Sequence, residues 1–181
     1  MTSNRPTIST FGCRLNIWES ELIRQHATHA SLNNTVIFNT CAVTSEAEKQ
    51  ARQAIRKAKR EQPEKQIIVT GCAAQINPEK WLEMAEVDHV IGNHEKLLQD
   101  SWQRLKTNQL SDMEVTDISE ITETAAHMID SFEEHTRGFL QIQQGCNHRC
   151  SFCIIPYGRG PSRSIAAGQV VESVRELFTN G

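Results

Sequence analysis

Cys146, Cys150 and Cys153 fall within eight residues of the stretch GCNHRCSFCIIPYGRGPSR, with three and then two residues between them. Thiolates are soft ligands that suit zinc and iron–sulfur clusters. A structural zinc ion takes four closed ligands, whereas a four-iron cluster on three cysteines keeps one iron open for a further ligand. His148 could in principle complete a zinc set, but it sits inside the tight loop. Zinc also usually comes with paired two-residue spacings, so the pattern favours a cluster.

The other three cysteines, Cys13, Cys41 and Cys72, make no linear motif. Each stands one or two residues past the C-terminal end of an expected strand, in TFGC, FNTC and VTGC. In a parallel α/β sheet that edge is where ligands bind, so three thiols from three successive strands could converge. The alternative for each is a small buried apolar residue, a common fate for cysteine. The same placement three times favours convergence. Gly12 and Gly71 directly precede two of these cysteines and would let the chain turn tightly beside a bound group.

The elements that must position these thiols follow a βα rhythm. Strands are expected near Thr7 to Phe11, Thr35 to Asn39, Gln66 to Thr70 and Val87 to Ile91, each followed by a helix, which implies a parallel sheet covered on both faces. The best-marked helix has Ser45 and Glu48 at capping-box spacing and an apolar stripe of Ala47, Ala51, Ala54, Ile55 and Ala58, and Pro63 ends it. Its basic face, with Lys49, Arg52, Arg56, Lys57, Lys59 and Arg60, could meet RNA phosphates, although a solvated face is the commoner meaning. Residues 107–136 carry several acids and no Lys or Arg, and read as an acidic linker. Phe139 to Gln143 reads as a short buried strand entering the cysteine loop. A helix from Ala166 to Thr179 follows, N-capped by Ser164 and stopped by Asn180 and Gly181. Trp18, Trp81 and Trp102 lie in helical stretches as packing residues.

A chain of 181 residues with 38% hydrophobic residues fills one or two cores. Its net charge of −3 supplies no general field for nucleic acid or an acidic membrane, so any such binding must be local. No apolar run long enough for a membrane span and no export signal is visible, which leads to the expectation of a cytoplasmic protein without a disulfide framework.

The residues QGCNHRCSFCIIPYGRGPSRS, with Phe152 just before the third cysteine, resemble the signature of radical S-adenosylmethionine enzymes, and their wider wording is similar to the methylthiotransferase branch. GCRLN, NTCAVT and VTGCAAQ resemble that branch's N-terminal domain. Arg14 and Leu15 resemble the MtaB type, which acts on N6-threonylcarbamoyladenosine in tRNA. The resemblance implies a four-iron cluster on Cys146, Cys150 and Cys153 that binds and cleaves S-adenosylmethionine. It also implies an auxiliary four-iron cluster on Cys13, Cys41 and Cys72 that supplies sulfur. It further implies a methylthio group added to C2 of the modified adenosine beside the anticodon, and an electron donor such as flavodoxin or ferredoxin. The alternatives are action on isopentenyladenosine tRNA, or a non-catalytic iron–sulfur or zinc binding module.

The resemblance implies a Rossmann-like N-terminal domain over residues 1–106. Residues 137–181 would begin a truncated radical S-adenosylmethionine barrel of partial TIM type, in a chain inactive alone and lacking most of the tRNA surface. Phe152, Arg159 and Arg163 are expected near the cofactor or cluster, with an ordinary turn stiffened by Pro161 as the alternative for the arginines. Asn16 and Glu19 read equally as groups supporting Cys13 or as helix caps.

Overall fold

The computed structural model describes residues 5–122 and 138–179. Five parallel strands form one sheet in the order β1-β2-β3-β4-β5: β1 Thr7–Thr10, β2 Thr35–Thr40, β3 Gln66–Gly71, β4 His89–Ile91 and β5 Met113–Glu114. The first four lie where the β-branched runs of the sequence place them. Between them run α1 Arg14–His29, α2 Ser45–Glu61, the short α3 Cys72–Ile76 and α4 Pro78–Leu82, and α5 Gln99–Lys106. Among the described residues no helix is long and apolar enough to cross a membrane.

The two faces of the sheet are read off alternate residues, because strand side chains point to opposite sides. Val36, Phe38, Ile67, Val69 and Val90 pack on Ala51 and Ile55 of α2, Ala73 and Ala74 of α3, and Trp81 of α4. Ile37, Ile68 and Ile91 face the other way, onto Ile23 and Ala27 of α1 and Trp102 and Leu105 of α5. Strands buried on both faces must be apolar at nearly every position, as VIF and IIV are. Each large aliphatic side chain so buried contributes about 1.5–3 kcal/mol.

Two expectations change at the helix ends. The N-cap of α2 is Thr44, whose extended backbone lets its hydroxyl accept from the Ala47 N–H at 3.2 Å. Glu48, free of the expected capping box, pairs with Arg52 at 3.0 Å. Ser164, expected as the cap of the last helix, is instead a strand residue paired with Gln143.

Residues 107–122, the described part of the expected linker, are built into the first unit. Met113 and Glu114 pair with Val90 and Ile91, because β4 otherwise presents a free edge of backbone donors and acceptors. Leu110 and Ile118 are buried there among the acids. The rest of the expected linker, and Asn180 with Gly181, lie outside the described residues.

Beyond residue 138 the chain forms a two-residue antiparallel ribbon of β6 Gln143–Gln144 with β7 Arg163–Ser164, the short helix α6 Ile155–Arg159, and α7 Ala167–Thr179. The expected buried strand over Phe139 to Gln143 shrinks to the two residues of β6. Among the described residues no parallel neighbour pairs with it, and Leu140 and Ile142 face solvent in part. Helix α6 packs against α3, while α7 buries none of its residues.

Candidate functional site

Sheet register brings the first three cysteines to one edge. Thr40 at the end of β2 is paired with Gly71 at the end of β3, so Cys41 and Cys72, the next residues, leave the sheet level with one another. Beside them the Phe11 N–H donates to Asn39 O at 2.9 Å, which carries Gly12 and Cys13 to the same edge. Gly12 and Gly71 both adopt positive φ, +99° and +98°. A Cβ on Gly12 would stand 2.5 Å from the Cys41 Sγ, and one on Gly71 would collide with the Thr40 backbone. Only glycine lets the chain turn here without strain.

The three thiols line one cavity of about 220 Å³, together with Leu15, Asn16 and Val43 from the first unit. Its far wall comes from the later segment: Gln143, Gln144, Gly145, Ile154, Ile155 and Arg159. Burial pushes the Cys41 thiol up in pKa. The Val43 N–H, which donates to its sulfur at 3.5 Å, opposes this, while the nearby Cys72 and Cys13 thiols reinforce it. Cys13 Sγ donates to Asn16 Oδ1 at 3.7 Å, and Asn93 Nδ2 donates to Cys72 Sγ at 3.7 Å. Asn93 also donates to the Gly158 carbonyl, which ties α6 down beside Cys72.

Behind the cavity lies a buried charge network. Arg159 donates through Nε to Cys72 Sγ at 3.0 Å, through Nη1 to Glu19, and through Nη2 to Glu19 at 3.0 Å and Asn16 Oδ1 at 2.6 Å. Lys96, 0% exposed, donates to the same Glu19 carboxylate at 2.7 Å and to Asn39 Oδ1 at 3.3 Å. Burial alone would raise the Glu19 pKa, but Arg159 and Lys96 outweigh it and hold the carboxyl below its ordinary value. Burial lowers the pKa of Lys96, and the like charge of Arg159 adds to this; the attraction of Glu19 opposes both without offsetting them. For Arg159 the pull of Glu19 and Cys72 exceeds the cost of burial and keeps the guanidinium charged. Gln144 completes the network with a bond to Glu19 at 3.3 Å.

The second cysteine set occupies the single loop between β6 and α6, and none of its three thiols lines the cavity. The Cys146 N–H donates to Gly160 O at 3.1 Å, the Cys153 N–H donates to Cys150 O at 3.0 Å, and Arg149 lies over the Tyr157 ring at 5.5 Å. Cys150 is exposed, and Phe152 is 90% exposed. Among the described residues no three His, Cys, Asp or Glu side chains are gathered closely enough to chelate a single metal ion. A four-iron cluster is larger than one ion and takes its thiolates at correspondingly wider separations. The three-thiol chemistry of the cavity suits such a group.

The structure distributes the other expected site residues unevenly. Arg159 lies at the first cysteine site rather than at the loop that precedes it in sequence. Arg163 is buried and donates to Ile121 O at 2.7 Å, Arg159 O at 2.9 Å and Gln144 Oε1 at 3.2 Å, which braces the ribbon. Asn16 and Glu19 do not cap α1, whose N-cap Cys13 makes no side-chain capping bond to the helix backbone. Lys96 and Asn93 carried no sequence signal, and Gln144 only its place at the start of the QGCNHRC stretch. Glu19 carried one, since it shares an apolar stripe with Ile23 and Ala27. The basic face of α2 is largely paired: besides Arg52 with Glu48, Lys59 meets Asp88 at 3.2 Å and Arg56 meets Glu86 at 3.9 Å. Such exposed pairs contribute little stability, about 0–1 kcal/mol.

Residues 5–92 match the model of an uncharacterized protein family, UPF0004. The chain is 55% identical over 177 residues to the threonylcarbamoyladenosine tRNA methylthiotransferase MtaB of Rickettsia prowazekii, covering 98% of this chain and 41% of that protein. It is 33% identical over 181 residues to the protein of the same name from Aquifex aeolicus, covering 95% of this chain and 44% of that protein. A tRNA-2-methylthio-N(6)-dimethylallyladenosine synthase from Corynebacterium diphtheriae is 31% identical over 187 residues, with 96% and 36% covered. The chain thus spans about two fifths of the length of the relatives it matches. With its sheet-edge cysteines and its cysteine loop, the chain belongs to the MtaB-type methylthiotransferase family and matches the N-terminal portion of its members.

Proposed function

We propose that this chain carries the sulfur-donor site and the start of the radical site of a tRNA methylthiotransferase acting on N6-threonylcarbamoyladenosine. The observation that carries this reading is the convergence of Cys13, Cys41 and Cys72 on one cavity closed by the segment that bears Cys146, Cys150 and Cys153. In this reading the first triad holds one four-iron cluster. The second triad holds another, which binds S-adenosylmethionine, with Phe152 beside it. Three-cysteine ligation leaves each cluster an open iron for a further ligand. The protein's own part is to fix the thiolates, to line the first cavity with the apolar Leu15, Val43, Ile154 and Ile155, and to supply compensating positive charge through Arg159. As with other cofactor enzymes, the hard chemistry belongs to the bound groups while the protein holds and orients them. An electron donor such as flavodoxin or ferredoxin, tRNA as the substrate and a cytoplasmic setting complete the proposal.

Iron, sulfide and zinc content after anaerobic reconstitution tests the metal assignment. About eight irons per chain are expected, falling to about four when either triad is changed to alanine. Zinc in both triads would sink the reading in favour of a structural metal module. The choice of substrate rests on 55% identity to one relative named for threonylcarbamoyladenosine, against 31% to one named for dimethylallyladenosine, and on Arg14 and Leu15 in GCRLN. Digesting tRNA from cells with and without the gene checks it. Loss of the 2-methylthio group from threonylcarbamoyladenosine alone is expected, and loss from dimethylallyladenosine instead would move the assignment to the sister activity.

A further inference from the structure

Arg159 follows the second cysteine loop in sequence, yet every side-chain hydrogen bond described for it goes to the first unit, to Cys72, Glu19 and Asn16. Its guanidinium is a rigid fork. With both Nη atoms engaged by Glu19 and Asn16, Nε is left directed at the Cys72 sulfur, a geometry that a lysine ammonium cannot reproduce. The buried network holds two cations, Arg159 and Lys96, against one carboxylate, Glu19, and all three are at most 4% exposed. Uncompensated buried charge is costly, and the acceptor that remains for the surplus positive charge is Cys72 Sγ at 3.0 Å. A thiolate carrying a negatively charged group meets that need; a neutral thiol does not.

We infer that Arg159 is a positioning residue of the first cysteine site: it donates a charge-assisted hydrogen bond to the Cys72 thiolate and, through Glu19 and Asn16, fixes the later segment over that site. The two cysteine sites are then coupled, because the residue that compensates charge at one belongs to the segment that carries the other. Gly158 supports this close docking, since a Cβ there would stand 3.1 Å from the Cys72 Cβ. The inference rests on the proposal that Cys72 ligates a cluster.

The test uses the chain with Cys146, Cys150 and Cys153 changed to alanine, so that only the first site can hold iron. It is titrated anaerobically with dithionite, which delivers one electron to the cluster, and followed by electron paramagnetic resonance. Removing a nearby cation disfavours the more negative reduced state. In Arg159→Met with full iron, the reduced-to-oxidised ratio at the parent's midpoint is therefore expected to fall about tenfold, a shift of about 59 mV to lower potential for one electron. Arg159→Lys, which keeps the charge but not the fork, is expected to shift less. An unchanged midpoint in Arg159→Met at full iron content overturns the inference while leaving the cluster assignment standing. If Arg159→Met does not hold iron, Arg159→Lys decides through resonance Raman. A changed iron–thiolate stretching band supports the bond to Cys72, and a spectrum and midpoint identical to the parent overturn it. A parent that binds no iron at the first site overturns the underlying assignment itself.

Discussion

The two cysteine sites of this chain invert one another. Cys146, Cys150 and Cys153 are neighbours in sequence, held by one loop with a few backbone bonds. Cys13, Cys41 and Cys72 are distant in sequence, brought together by the paired ends of three strands, and backed by the buried Glu19, Lys96 and Arg159. A local motif requires little of the fold, because the loop itself supplies the proximity. A dispersed site requires a rigid sheet, tight turns at Gly12 and Gly71, and a polar network that must be complete if it is to be tolerated inside. Its energetics are therefore those of the domain core, and damage to it is damage to the fold.

Substitutions in the two regions should separate accordingly. The largest effect is expected from Glu19→Ala, which leaves Lys96 and Arg159 buried without their anion and should cost about 3–5 kcal/mol in urea unfolding. If it cost no more than a surface change, the network would not be structural. The same residue sets an acid limit. Its folded pKa lies below its ordinary value of 4.5, so its contribution is present above that pH and is lost as pH falls through the lower folded value. The urea midpoint of the parent should drop over that interval, and the drop should be smaller in Glu19→Gln.

Gly12→Ala is expected next, at about 1–3 kcal/mol, from backbone strain at positive φ. It should also bring reduced iron at the first site and unchanged iron at the second, because the new methyl meets the Cys41 sulfur. Its counterpart in the later region is Gly168→Ala in α7, where nothing lies within 4 Å of the added methyl. That change should stabilise by about 0.5–1 kcal/mol, read as a rise in thermal midpoint. The smallest effect is expected for Phe178→Ser. Phe178 is 89% exposed, and its replacement should move the unfolding free energy by less than about 0.5 kcal/mol. A larger loss there would show that α7 is packed in solution.

Much of the first unit was legible in the residue pattern. The continuous apolar runs of β2 and β3, the stripe on α2 and the placement of Cys13, Cys41 and Cys72 after strand ends all follow from local periodicity. Strand β5 was not legible, since Met113 and Glu114 lie in an acidic, polar stretch, and what recruits them is the open edge of β4. Lys96 was hidden for another reason: lysine is among the residues least often buried, and the Glu19 carboxylate across the fold, with Asn39, makes its burial tolerable.

The sequence by itself determined the α/β class, the first four strands and the family, because these rest on side-chain chemistry and on periods of two and 3.6 residues. Tertiary structure alone decided which residues surround the thiols: that Arg159 reaches back to Cys72, that Glu19 serves two cations at once, and that Gln144 and Gly145 close a cavity begun by β1, β2 and β3. Such partners are chosen by distance in space and by the cost of burying an unmet charge, and neither quantity is written in the neighbourhood of a residue along the chain.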